Sequence, residues 1–250
     1  MPRSWVLVVA GHDSSGGAGV DADREALEAA GVGAEVVVTA WTKQDASGVR
    51  ELGAVEPSRW LEQALGALAR RPAAIKIGLL PGADALAGAL ELCDAVPAGL
   101  PVVLDPVIAA SSGRRFLGPE EVGVLRQSLL SRGVILTPNL PEAAQLCDVA
   151  ESELLGLEAR VAAARELIER GCSGVLLKGG HADEDPLRDL VSSAGGVESW
   201  VVHARIAGDG IRGSGCRYAS AVAGCLARGA GLEEAARWAA NWVGERIALG

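Results

Sequence analysis

Trp5-Val6-Leu7-Val8-Val9-Ala10 is an unbroken apolar, β-rich run, and Gly11-His12-Asp13-Ser14-Ser15-Gly16-Gly17-Ala18-Gly19 carries it directly into a helical pattern over Ala18 to Ala30. An apolar run without polar alternation is the pattern of a strand covered on both faces. A glycine cluster between strand and helix lets the backbone approach a ligand and frees N–H groups to face it. The spacing matches neither the Walker motif nor GxGxxG, so the turn also reads as a tight connection with no further task.

The same strand-then-helix unit recurs along the chain. Ala34 to Thr39, Ala74 to Ile77, Val102 to Leu104, Val134 to Leu136 and Gly174 to Leu177 read as strands. Pro57 to Arg70, Ala83 to Val96, Pro119 to Ser131, Pro141 to Cys147 and Leu157 to Arg170 read as helices. This alternation predicts an α/β fold with a mostly parallel central sheet and helices on both faces. Trp41 to Val55 and Ala182 to His203 break the rhythm and read as hairpin-like additions at the sheet margin, the first a small partial lid. Gly213 to Leu249 holds two helical patterns divided at Gly229 to Gly231, with Trp238 and Trp242 four apart as core staples. No linker, repeat or low-complexity tract interrupts the chain, so residues 1–250 are expected to form a single domain.

Composition narrows the function classes. With 250 residues, 49% hydrophobic and 22% charged, the chain has enough apolar mass for one large core. Its 32 acidic against 23 basic side chains give a net charge of −9, which disfavours nucleic-acid and membrane-surface partners. A local cationic pocket for a small anion stays compatible with that charge. Cys93, Cys147, Cys172, Cys216 and Cys225 form no CxxC pair and no metal spacing with the three histidines, which fits a reducing cytoplasm. The first apolar run is too short for a signal h-region or a membrane span.

Three polar clusters follow predicted strands: Asp105-Pro106, Thr137-Pro138-Asn139-Leu140-Pro141-Glu142 and Lys178-Gly179-Gly180-His181. Strand C-termini of an open α/β sheet converge on one crevice, which brings Asp105, Asn139, Glu142 and Lys178 within reach of one another. Carboxylates there suit Mg²⁺, and a lysine suits phosphate oxygens. Each residue alone has a plainer reading: Asp105 in a turn, Asn139 and Glu142 as helix caps, Lys178 reaching to solvent. Four at equivalent topological positions favour a site. Gly213-Ser214-Gly215-Cys216 opens a helix of small residues, where amides and the helix dipole form an anion hole. At that helix start Cys216 is expected to have a lowered thiol pKa, while the other four cysteines read as buried small side chains.

Taken in order and spacing, AGHDSSGGAGVDAD, KIGLL, VVLDPVIAASSG, LTPNLPEA, LLKGGH and GSGC resemble the hydroxymethylpyrimidine/phosphomethylpyrimidine kinases of thiamine synthesis, within the ribokinase-like superfamily. The resemblance spans nearly the whole chain. It implies an ATP-dependent, Mg²⁺-requiring kinase, a homodimer, with Gly11, Asp23 and Gln44 holding the pyrimidine and Cys216 beside its hydroxymethyl group as base or positioning group. It assigns Asp105, Asn139, Glu142 and Lys178 to Mg-ATP, with Glu142 and Asp105 on the metal side, and makes Gly213, Ser214 and Gly215 the anion hole.

Two stretches depart from the family pattern. Where the family reads NTHGTGC, this chain has Gly210-Ile211-Arg212-Gly213-Ser214-Gly215-Cys216, and Trp41-Thr42-Lys43-Gln44-Asp45-Ala46 replaces the usual Leu/Val-Ala-Gln-Asn-Thr run. Arg212 is read as an extra clamp on the nucleotide phosphates, as a plug on the nucleotide side, or as a surface arginine. A pyridoxal or pyridoxine kinase and a non-catalytic pyrimidine-binding homologue are the competing expectations.

Overall fold

Leu7 and Val9 of the first strand face one hydrophobic layer, and Val6, Val8 and Ala10 the other, all at most 1% exposed. Each of the valines and the leucine contributes about 1.5–3 kcal/mol by burial, so a strand apolar on both faces must be sandwiched. The computed structural model describes residues 4–45, 48–110, 112–180, 184–206 and 210–249. Ala46, His181 and Ala182, which the sequence reading included, lie outside the described residues.

Among these, nine strands form one sheet in the order β3-β2-β1-β4-β5-β6-β7-β8-β9. The strands β1 (Trp5–Asp13), β2 (Gly33–Asp45), β4 (Ala74–Ile77), β5 (Val102–Leu104), β6 (Ile135–Leu136) and β7 (Gly174–Leu177) run parallel. At one margin β3 (Gly48–Ala54) pairs antiparallel with β2. At the other, β8 (Leu187–Ser193) and β9 (Glu198–His203) form an antiparallel hairpin on β7. Both marginal additions fall where the broken alternation placed them.

Three helices, α1 (Val20–Ala29), α7 (Ser214–Ala227) and α8 (Leu232–Leu249), cover one face. The opposite face carries α2 (Pro57–Leu68), α3 (Gly82–Asp94), α4 (Pro119–Val124), α5 (Leu140–Cys147) and α6 (Leu157–Glu169). The helix expected over Pro119 to Ser131 is split: α4 is followed by a π turn over Leu125–Leu129 and a 3-10 turn over Leu130–Arg132. The wider turn lets Leu125, Leu129 and Leu130 all reach the core, each at most 1% exposed. Trp238 and Trp242 do stack, with ring centroids 5.9 Å apart, but both are only half-buried at the rim of the core and do not staple its centre.

The first strand also runs on to Asp13, three residues past its apolar run. A register shift between Ala10 and Gly11 against β2 accompanies this, and the extension of β2 to Asp45 provides the pairing that His12 and Asp13 need. Polar residues thus stay in the sheet because a neighbouring strand satisfies their backbone groups.

Candidate active site

Asp105, Thr137 and Lys178 each stand one residue past the end of a parallel strand, so the sheet itself brings them side by side. The Asp105 N–H donates to Ile77, that of Thr137 to Leu104 and that of Lys178 to Pro138, extending the ladder to the site. Lys178 Nζ lies 3.5 Å from Asp105 Oδ1 and 5.8 Å from the centroid of the Tyr218 ring. Asn139 and Glu142 form a reciprocal cap at the start of α5: Glu142 N–H donates to Asn139 Oδ1 at 2.8 Å, and Asn139 N–H to Glu142 Oε2 at 2.9 Å. The capping reading of this pair therefore holds, and it coexists with the site. Burial pushes the Glu142 carboxyl up to about 7; Lys178 opposes that, Asp105 adds to it, and N–H groups of Asn139 and Ile108 pull it back.

The glycine turn before α7 meets this cluster. Gly213 caps the helix at φ 72°, and a Cβ there would lie 2.7 Å from the Gly17 carbonyl oxygen, so two glycine loops pack backbone to backbone. A Cβ on Gly215 would lie 3.5 Å from Lys178 Nζ and 3.9 Å from both Asp105 carboxylate oxygens. The first N–H groups of α7, with no intrahelical partner, are thus close to a cation and a carboxylate. Such an arrangement can hold phosphate oxygens.

On the other side of Cys216 lies a second group of residues. Asp23, which passes as a solvated helix position in the sequence, is fully buried and accepts hydrogen bonds at Oδ1 from Lys76 Nζ at 2.9 Å and from Ser220 Oγ at 2.8 Å. Lys76 was not singled out by sequence reasoning; the available signal was a lysine inside a short strand whose other residues are all apolar. Gly11 joins this group through Gly19, whose backbone approaches the Gly11 carbonyl too closely for any Cβ. Gln44 lies two residues beyond the point where β1 stops pairing with β2, and donates from Nε2 to Thr42 Oγ1 at 3.1 Å.

Cys216 differs from expectation. Its thiol is not lowered by the helix start: burial raises it to about 11, Lys76 and a backbone hydrogen bond from Gly19 opposing, Asp23 and Asp105 reinforcing. Desolvation outweighs the helix dipole here because the thiol is enclosed by the surrounding elements, and the charges of Asp23 and Asp105 add in the same direction. Cys216 is partly exposed as a residue, whereas the other four cysteines are buried, although its thiol itself is enclosed. Alkylation followed by mass spectrometry is accordingly expected to label Cys216 first among the five, slowly near neutral pH and faster as pH climbs toward 11. Labelling that is already maximal at pH 7 would contradict the buried, protonated thiol.

Arg212 donates to Asp13 Oδ2 at 2.7 Å and also to Ser15 Oγ, and Asp13 is 1% exposed. Arg217 reinforces the same junction, donating to the Arg212 and Gly17 carbonyls and to Glu25. The guanidinium therefore bridges the two glycine loops. Arg212→Ala leaves a buried carboxylate without its cation and is expected to cost about 1–2 kcal/mol of stability. Thermal unfolding should show Tm lowered by a few degrees; an unchanged Tm would make the bridge incidental.

Comparison with known proteins agrees with this geometry. The family described as phosphomethylpyrimidine kinase matches residues 13–250. A hydroxymethylpyrimidine/phosphomethylpyrimidine kinase of Bacillus subtilis is 34% identical over 244 residues, covering 96% of this chain and 88% of the relative. Among solved structures, the phosphomethylpyrimidine kinase of Clostridium difficile superposes with a TM-score of 0.83 at 28% identity, covering 98% of this chain and 100% of that one. The pyridoxal kinase of Staphylococcus aureus in complex with AMP-PCP and pyridoxal superposes with a TM-score of 0.88 at 28% identity, covering 99% of this chain and 89% of that one. With a match over nearly its full length and a ribokinase-like sheet, the chain belongs to the phosphomethylpyrimidine kinase family of small-molecule kinases.

Proposed function

We propose that the chain transfers the γ-phosphoryl group of ATP to the hydroxymethyl oxygen of hydroxymethylpyrimidine, and to the phosphate of its monophosphate, as a step of thiamine biosynthesis. The observation that carries this reading is the meeting of Lys178, Asp105 and the N-terminal turn of α7 at Gly215, immediately beside Cys216 and the Asp23 group. Phosphoryl transfer asks mainly for positioning and charge stabilisation, which is what this geometry provides. Lys178 and the amides of Gly213, Ser214 and Gly215 hold the γ-phosphate oxygens. Asn139 fixes Glu142 through their shared cap.

Mg²⁺ binds proteins through one or two carboxylates and completes its shell with phosphates and water. Asp105 and Glu142, each at most 8% exposed and close enough for their charges to interact, fit that donor set. When bound, the ion neutralises charge on the transferred phosphate. Asp23, Gly11 and Gln44 take the heterocycle. With its proton held to about pH 11, Cys216 orients the acceptor hydroxyl and does not deprotonate it.

The whole chain acts as one kinase domain, a homodimer of the cytoplasm, with small molecules and neither nucleic acid nor membrane as its partners. The acidic net charge and five free cysteines support that placement. A coupled assay of ADP release tests the function, with hydroxymethylpyrimidine, its monophosphate, pyridoxal and pyridoxine as acceptors. Turnover of the two pyrimidines is expected. Turnover of pyridoxal alone would move the chain to the second vitamin, and ADP release from none of the four would leave a pyrimidine-binding homologue.

A further inference from the structure

Lys76 and Asp23 form an ion pair in which both side chains are completely buried, one on a central strand and the other on α1. Burying two charges this way rarely adds stability over an apolar pair of the same volume, so the pair calls for another reason. The distribution of hydrogen bonds supplies one. Oδ1 of Asp23 accepts from both Lys76 and Ser220, while Oδ2 is buried and has no partner among the described residues. A carboxylate oxygen left bare beside a doubly satisfied one is a site waiting for a donor.

The surroundings are arranged to keep the ammonium in place. Gly78 follows the strand, and a Cβ there would lie 2.6 Å from Lys76 Nζ, so the glycine leaves the room that the charge occupies. Burial works against the charged lysine, but Asp23, Cys216 and Asp105 outweigh it and raise its pKa. Those groups come from α1, α7 and the end of β5, the elements that enclose the acceptor side.

We propose that Lys76 is a positioning residue for the acceptor: with Ser220 it takes up Oδ1 of Asp23 and thereby reserves Oδ2 for an N–H donor on the acceptor heterocycle. The proposal rests on the reading that Asp23 holds the pyrimidine. It goes beyond that reading in giving a residue that touches neither substrate a selective effect on one of them. An aminopyrimidine, with an exocyclic amine to donate, fits such an oxygen, and a ring bearing only acceptors at that edge does not.

Calorimetric titration of the full chain tests this, with hydroxymethylpyrimidine and ADP as separate probes. Lys76→Met is expected to weaken hydroxymethylpyrimidine binding about tenfold or more and to leave ADP binding within about twofold. Asp23→Asn should weaken the same ligand, and adding Lys76→Met to it should cause no further loss, since both act through one carboxylate. Equal weakening of both ligands by Lys76→Met, or full additivity with Asp23→Asn, would overturn the proposal and make the lysine structural. If Asp23→Asn weakens the pyrimidine while Lys76→Met does not, the role of Lys76 fails and that of Asp23 stands. An Asp23→Asn variant that binds the pyrimidine normally defeats the underlying reading itself. Should Lys76→Met alone fail to fold, the double variant, which carries no unpaired charge, decides the matter against Asp23→Asn: equal affinity supports the proposal and weaker affinity overturns it.

Discussion

Replacing Lys178 with alanine lowers turnover by about two orders of magnitude or more and leaves acceptor binding close to wild type. One charge-stabilising contact in a phosphoryl-transfer site is worth roughly 3 kcal/mol or more, and about 1.4 kcal/mol is a factor of ten in rate. Lys178 is suited to that task by its position: its backbone is held by Pro138, its ammonium lies 3.5 Å from Asp105, and Gly215 at the start of α7 lies beside it. Asp23 and Gly11, proposed above to take the pyrimidine, share no direct hydrogen bond with it among the described residues. Steady-state kinetics with varied ATP and acceptor, alongside a melting curve, separates the outcomes. A variant with wild-type kcat would remove Lys178 from the chemistry, and a matching loss of acceptor affinity would show that the two halves of the site are not independent.

Gly19→Ala is expected to be the most damaging single methyl group in the first glycine loop. The residue sits at φ 62° and ψ −144°, a region that essentially only glycine occupies. Its Cβ would also run into the carbonyl oxygen of Gly11, which is backbone and cannot swing away. Strain and clash together should cost about 3 kcal/mol, lowering Tm by roughly 6–12 °C in a chain of this size. Gly16→Ala is the control, because Gly16 also has a positive φ, at 73°, but nothing near its Cβ position. It should cost only about 1–2 kcal/mol. Equal Tm values for the two variants would mean that the loop relaxes around the added methyl, and that the tight approach of Gly19 to Gly11 does not hold the loop in place.

Much of the architecture was legible because it is written in local periodicity. Short apolar runs of three to six residues, interleaved with amphipathic ones, leave few ways to bury every face, and the parallel sheet with helices on both sides follows. The strand-end rule then places Asp105, Asn139, Glu142 and Lys178 on one rim without any knowledge of their distances. The capping pair Asn139 and Glu142 was legible for the same reason, since its partners are three residues apart. What local periodicity misjudged is also physical. The helix expected over 119–131 breaks where three leucines must share one core, and β1 outlasts its apolar run because β2 extends alongside it.

By itself, then, the chain of residues determined the fold class, the rim on which the site lies and the family resemblance, all of which depend on neighbours in sequence. Only the tertiary structure decided the electrostatics inside the site. Lys76 meets Asp23 across 53 positions, Ser220 meets it across 197, and Arg212 meets Asp13 across 199. The helix start at Cys216 promised a lowered thiol, and burial reversed the sign. Desolvation depends on everything packed around a group, from every element that reaches it, and no spacing along the chain records that sum.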